Sequence, residues 1–359
     1  MNIDEFKTTW EKTNKQYGYN EPYPKFVEKI GFQIKKFMIP ENQKYQGATG
    51  NARGMLDALL RYCKKTSVPE KNLEQFLTNI NIIIDFLLTV RLTSQVPLNT
   101  AFFIRKRLEN STIETVSEAK TILEKEITFH QENYDTSENK IASIFKNRII
   151  DRVESYELDK LIIGTHCHSG VVRKAILEAR DYISQVIVDK TEPEQQGVLT
   201  AYQLIQEGIP VKLINLSQFG FEFRKINLFM FGIDAVSADG VVLNKMGTRM
   251  IATLAKTKDL PVYFLGATYK YARKTLLGGL VKVERRKVEE KILFNHLGIG
   301  LASHLDKKVN INGTSRKLLE TGFSAFDTTK PDFYSSVVSE VGFLPMREAF
   351  ELAWKEYLD

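Results

Sequence analysis

The chain is poor in the residues from which covalent and metal scaffolds are built. Among its 359 residues are two cysteines, Cys63 and Cys167, and five histidines. Two thiols so far apart exclude a disulfide framework and suit a reducing compartment. His166 and His168 flank Cys167, but no second His/Cys group with ligand spacing follows, so the pattern calls for no metal and no cofactor. A long apolar run is also lacking. The longest, near Ile80 to Val90, is interrupted by Asn81 and Asp85 and is too short to cross a bilayer. The opening Met-Asn-Ile-Asp-Glu-Phe carries no secretory pattern. Together these absences point to a cytoplasmic protein with no membrane partner. Excess charge is small: 50 Lys and Arg oppose 44 Asp and Glu, a net +6 spread along the chain. Nucleic acid is therefore not an expected partner, whereas a small anion is compatible with this balance.

What is present is an ordinary globular composition, 43% hydrophobic and 26% charged, long enough for two cored domains. Before about residue 155 apolar residues recur at helical spacing, as in Met55, Leu56, Leu59 and Leu60, then Ile80, Ile83, Ile84, Leu87 and Leu88. This predicts a helical domain over 1–155, with charged helices near 112–129 and 137–156. From residue 156 to 359 short apolar runs alternate with helical stretches. Strands are expected near 160–165, 185–190, 210–216, 232–237 and 260–266. Strands so separated imply an α/β fold, a Rossmann-like parallel sheet with right-handed crossovers and ligands beyond the carboxyl ends of its strands.

Two residues fall at such ends. Cys167 follows Leu161-Ile-Ile163 and precedes a helix marked by Val171, Val172, Ala175 and Ile176. A thiol at a helix N-terminus is expected to have a lowered pKa, and the amides of Ser169, Gly170 and Val171 to hold a phosphate. An inert buried thiol is the bland alternative. Asp234 stands in the apolar run Phe229 to Val236, where burial would raise its pKa and let it serve as an acid; capping of the next turn is the structural alternative. Asn244 and Lys245 are expected in a turn opening a helix near Met246.

The block Gly232-Ile-Asp-Ala-Val-Ser-Ala-Asp-Gly-Val-Val-Leu-Asn-Lys-Met-Gly-Thr248 resembles the signature of the superfamily uniting translation initiation factor 2B alpha, beta and delta subunits with sugar-1-phosphate aldose–ketose isomerases. The likeness continues through Thr165-His-Cys-His-Ser169, Thr191-Glu-Pro-Glu-Gln-Gln-Gly197, Gly208-Ile-Pro-Val211, Tyr269-Lys270 and Phe326-Asp-Thr-Thr-Lys-Pro331. It implies an isomerase acting on a phosphorylated pentose of the ribose 1,5-bisphosphate or methylthioribose 1-phosphate kind. Cys167 and Asp234 match the catalytic dyad, whose cysteine many regulatory subunits lack. Gln46, Gly47, Ala48 and Thr49, Arg91, Gln196, Asn244, Lys245 and Lys270 match substrate contacts. Residues after about 280 match a dimerising segment, so a homodimer or hexamer is implied, and Asp327 would lie near the site as a capping residue.

Cys167 as thiolate and Asp234 as acid would then move the proton between C2 and C1; a hydride-shift variant keeps Asp234 as acid and leaves Cys167 to stabilise the transition state. The chain departs from the family where Gln46 and Glu192 replace arginines and where Glu194 adds a second acid, which points to an altered substrate. Two further readings follow from the same resemblance: a regulatory subunit whose partners are translation factor subunits, and a sugar- or nucleotide-phosphate sensor without turnover.

Overall fold

The computed structural model describes residues 1–35, 45–283, 285–286, 307–312, 314–317, 323–343 and 345–358. Helices α1 (Ile3–Gln16), α2 (Lys25–Lys35), α3 (Gly47–Lys65), α4 (Leu73–Val90), α5 (Gln95–Glu109) and α6 (Val116–Ser155) come first. Their apolar faces meet in one core, with Phe6, Trp10, Met55, Leu59, Phe76, Ile80 and Ile83 all buried. Helix α4 is long and apolar enough by composition to cross a membrane, yet half of that stretch is spent on this core. The two helices expected between 112 and 156 form one continuous helix. Glu132 to Thr136 is polar but contains neither glycine nor proline, so nothing breaks the backbone ladder there. Helix α6 opens on a capping box, Thr115 with Glu118. Its first half, through Tyr134, joins the helical core; Ile141, Ala142, Phe145 and Ile149 in its second half lie on the sheet.

Then follow β1 (Leu161–Thr165), α7 (Gly170–Glu178), β2 (Ile183–Asp189), α8 (Gln196–Gln206), β3 (Val211–Ile214), α9 (Phe219–Glu222), β4 (Leu228–Gly232), β5 (Ala235–Val236), β6 (Val242–Lys245), α10 (Thr248–Lys256) and β7 (Val262–Leu265). Short strands β8 (Arg285–Arg286), β9 (Lys308–Ile311), β10 (Thr314–Lys317) and β11 (Phe323–Ser324) precede β12 (Phe326–Thr329), β13 (Ser336–Val338) and α11 (Met346–Leu358). The main sheet has the order β13-β7-β4-β1-β2-β3, and every pairing in it is parallel. Strands β1, β2, β3 and β7 fall where alternation of apolar runs and helices predicts them. Strand β13 was not expected, since three residues carry too little pattern.

The strand expected at 232–237 is corrected. The chain leaves the main sheet after Gly232, bends at Ile233 and Asp234, and enters a separate antiparallel sheet of β12, β6 and β5. Asn244 and Lys245 are accordingly on β6 rather than in a turn, and α10 begins at Thr248. Part of the expected dimerising segment lies outside the described residues.

The order of the main sheet reverses between β1 and β4, the point in a doubly wound sheet where a crevice opens beyond the strand ends. The helical domain closes that crevice. Asn99 on α5 donates from its side-chain amide to the carbonyls of Tyr269 and Tyr271 at 2.7 and 2.8 Å, gripping both residues that flank Lys270. The β2–α8 loop is held as tightly: a Cβ on Gly197 would lie 1.7 Å from the Asp189 carbonyl oxygen, and that oxygen belongs to the backbone of β2. Gly197→Ala is expected to destabilise the protein by at least about 2 kcal/mol. Urea unfolding should show a lower midpoint at an unchanged slope; an unchanged midpoint would contradict this packing.

Candidate active site

Between β1 and β4 lies a cleft of about 190 Å³, and every site residue anticipated from the sequence lines it. Cys167 comes from the turn after β1 and Asp234 from the bend after β4. Gln46, Gly47, Ala48 and Thr49 form the start of α3, with Arg91 at the end of α4. Ser169, Gly170 and Val171 start α7, Gln196 starts α8, Asn244 and Lys245 end β6, and Lys270 follows β7. The cleft is also lined by Asn51, Ser94, Glu138, His166, His168 and Phe326, which sequence reasoning did not assign to it. For His166 and His168 adjacency to Cys167 was the available signal. Glu138, far away on α6, offered none.

The turn carrying Cys167 is a left-handed one, with φ of 67° at a residue that has a side chain. Strained conformations of this sort persist where the surroundings fix them. Here the Cys167 amide donates to Thr191 Oγ1 at 2.9 Å, and Thr200 Oγ1 donates to the Cys167 carbonyl at 2.8 Å. Because the Thr200 hydroxyl proton is committed to that carbonyl, the His168 Nδ1 found 3.0 Å from Thr200 Oγ1 is the donor of their bond. Burial, then the charge of Arg173, pushes the His168 pKa down to about 4, so the ring stays neutral. His166 is buried, with both ring nitrogens facing acceptors: Nδ1 meets Asp189 Oδ1 at 2.5 Å and Nε2 the Met246 carbonyl at 2.9 Å. It ties the ends of β1, β2 and β6 together. Asp327 acts as the capping residue expected of it, with Oδ2 accepting from the Gly247 and Arg249 amides at 2.8 and 3.2 Å.

Asp234 is half-buried, and its amide donates to the Leu243 carbonyl at 2.9 Å, fastening the bend to β6. Asn244 Nδ2 donates to the Gly232 carbonyl, closing the other side of the same bend. Gly232 itself must be glycine, since a Cβ there would stand 2.5 Å from Ser169 Oγ. The ends of β1 and β4 thus approach closely enough for both to face one small ligand.

The lowered pKa expected for the Cys167 thiol is corrected in direction. Its Sγ donates to Gln196 Oε1 at 3.0 Å, and its pKa is pushed up to about 12. Burial is the largest cause; Lys245 opposes it, while Asp234 and Glu194 add to it. The physical reason is position. Helix α7 has its N-cap at Ser169, so Cys167 lies before the first turn, where the helix dipole is already weak, and the surrounding elements desolvate the sulfur. Lys270 is likewise held below the usual lysine range by burial, with Asp234 and Glu138 counteracting.

Glu192, the acid in the place of a family arginine, is exposed and does not line the cleft. Glu194 instead turns inward and forms an ion pair with Lys245, their side chains 9% and 2% exposed. At the mouth, the starts of α3 and α7 both line the cleft beside Arg91, neither N-cap side chain bonding its own helix, so the positive ends of two helix dipoles adjoin it.

A neutral thiol is a slow nucleophile. Iodoacetamide should alkylate Cys167 at pH 8 about a hundredfold or more slowly than a free cysteine, whose pKa is roughly 8.5. Mass spectrometry of the labelled peptide checks this; rapid labelling at pH 7 would contradict it.

The sequence model described as the initiation factor 2 subunit family matches residues 44–346. Ribose 1,5-bisphosphate isomerase of Methanocaldococcus jannaschii is 28% identical over 321 residues, 88% of this chain and 92% of the relative. Methylthioribose-1-phosphate isomerase of Thermosipho africanus is 32% identical over 193 residues, 50% of this chain and 51% of the relative. Among solved structures, the Pyrococcus horikoshii OT3 translation initiation factor eIF-2B superposes with a TM-score of 0.66 at 21% identity, covering 90% of this chain and 98% of that one. The 5-methylthioribose 1-phosphate isomerase from the same organism gives 0.65 at 19% identity, over 92% and 88%. At such identities the superpositions speak for the fold alone, while the matched model spans most of the sequence: the chain belongs to the initiation factor 2 subunit family.

Proposed function

We propose that this protein is an isomerase that converts an aldose 1-phosphate into a ketose phosphate, with Cys167 and Asp234 as its acid and base. One observation carries the reading: a thiol and a carboxyl from the two strands at the sheet's switch point line a single cleft, beside two uncapped helix N-termini. The similarity to relatives named as ribose 1,5-bisphosphate and methylthioribose-1-phosphate isomerases supports it. The phosphate belongs at the mouth, on the amides of Gly47, Ala48, Thr49, Gly170 and Val171 and on Arg91. The sugar then extends inward toward Asn244, Lys245 and Lys270.

Roles follow from protonation at rest. Cys167 keeps its proton because its environment is too poorly solvated for a thiolate, so it starts the cycle as the acid. The thiol proton goes to the ring oxygen as the bond from that oxygen to C1 breaks. The C2 hydrogen moves to C1 with its electron pair, and the proton of the C2 hydroxyl passes to Asp234, leaving a ketone at C2. Return of that proton from Asp234 to Cys167 resets the pair. This reverses the acid and base roles read from the sequence while keeping both residues.

Cys167→Ser and Asp234→Asn should each lower kcat by about 100-fold or more on the aldose 1-phosphate with the fold intact by circular dichroism; wild-type turnover in either variant would refute the assignment. The pH profile separates the two role assignments. A thiol with its pKa near 12 stays protonated from pH 7 to pH 9, so an acid Cys167 gives a flat profile over that window. A base formed by deprotonating a thiol of that same pKa would make kcat rise about tenfold for each pH unit there.

A further inference from the structure

The cleft's most deeply buried cation is already engaged. Lys245, 2% exposed, pairs with Glu194 on the β2–α8 loop. That loop is tightly specified: Thr191 and Gln195 hold left-handed conformations with φ of 60° and 54°, and Thr191 Oγ1 accepts from the Cys167 amide. The same turn that brings Gln196 to the Cys167 sulfur therefore brings the Glu194 carboxylate to the Lys245 ammonium. Lys245 is neutralised by Glu194, while Glu138 already pairs with Lys174 at 3.0 Å, so the positive charge left to a ligand is that of Arg91 and Lys270, opposed by Asp234, and not that of Lys245. A phosphate carries a charge of about −1.5 to −2. One such group is accommodated at the mouth by Arg91 and the two helix starts. A second, set against Lys245, would have to displace the Glu194 carboxylate and leave it buried beside another anion, which is strongly unfavourable.

We propose that Glu194 is a specificity-determining residue that restricts the substrate to aldose phosphates bearing a single phosphate, with the uncharged hydroxyl-bearing end of the sugar resting on the Glu194–Lys245 pair. The carboxylate accepts from a sugar hydroxyl and the ammonium donates to one, so a polyol end satisfies both where a dianion satisfies neither. This rests on the isomerase reading and adds the class of substrate to it.

The test compares ribose 1-phosphate with ribose 1,5-bisphosphate, using the full chain as wild type, Glu194→Gln and Glu194→Asp. Binding is measured by calorimetry and ketose formation by kcat/KM. Wild type should favour the monophosphate by about tenfold or more. Glu194→Gln should shrink that preference by about tenfold, and Glu194→Asp, which keeps the charge, should retain most of it. A wild-type preference for the bisphosphate, or an unchanged ratio in folded Glu194→Gln, would overturn the inference. Conversion of neither sugar would refute the isomerase reading alone, and the ratio of dissociation constants would then decide the inference in the same directions. Binding of neither sugar would overturn both.

Discussion

Ionised groups are expensive to hold in a poorly solvated cleft, and the arrangement of this site follows from that constraint. The carboxyl of Asp234 and the desolvation around Cys167 act in the same direction, against a thiolate. Lys270, drawn toward its neutral form by burial, is opposed by Asp234 and Glu138. Lys245, the most enclosed cation, is matched by Glu194. Cys63 is a useful contrast. Burial in the helical core, with Glu124 adding to it, raises its pKa to about 12 as well, yet it does not line the cleft. A raised pKa alone does not mark a site; what sets Cys167 apart is that it lines one cleft together with Asp234.

The fold supplies that space by joining two cores. Helix α6 runs from one into the other, and Asn99 fixes the backbone on both sides of Lys270 from the helical side. The parallel sheet delivers Cys167 and Asp234 from adjacent strands β1 and β4, and the close packing of Gly232 on Ser169 and of Gly197 on β2 leaves little room for the surrounding loops to shift. Rigid elements thus position the two groups proposed to react, while the helical region contributes the start of α3.

Much of this was legible in the residues. Alternating apolar runs and helices revealed the parallel sheet, and the position of Cys167 and Asp234 after strands brought them to the correct end of it. Local chemistry was less legible. Cys167 reads as a helix-start thiol, but one residue, His168, separates it from the N-cap Ser169, and burial rather than the helix end sets the direction of its pKa; spacing arguments do not resolve so short a distance. The run through Val236 reads as one strand because apolar character continues past Gly232, although the chain changes sheets there. Glu192 and Glu194 look equivalent in sequence, yet the folded loop leaves the first exposed and pairs the second with Lys245. Glu138 lines the cleft by virtue of tertiary packing alone.

The central claim is that Cys167 is a neutral thiol beside Asp234 in the resting protein. Infrared difference spectroscopy of wild type against Cys167→Ser at neutral pH measures this directly, since Cys63 contributes equally to both samples. The account predicts an S–H stretching band belonging to Cys167 that persists to pH 9. Absence of that band at pH 7, together with thiolate absorbance in the ultraviolet, would contradict it.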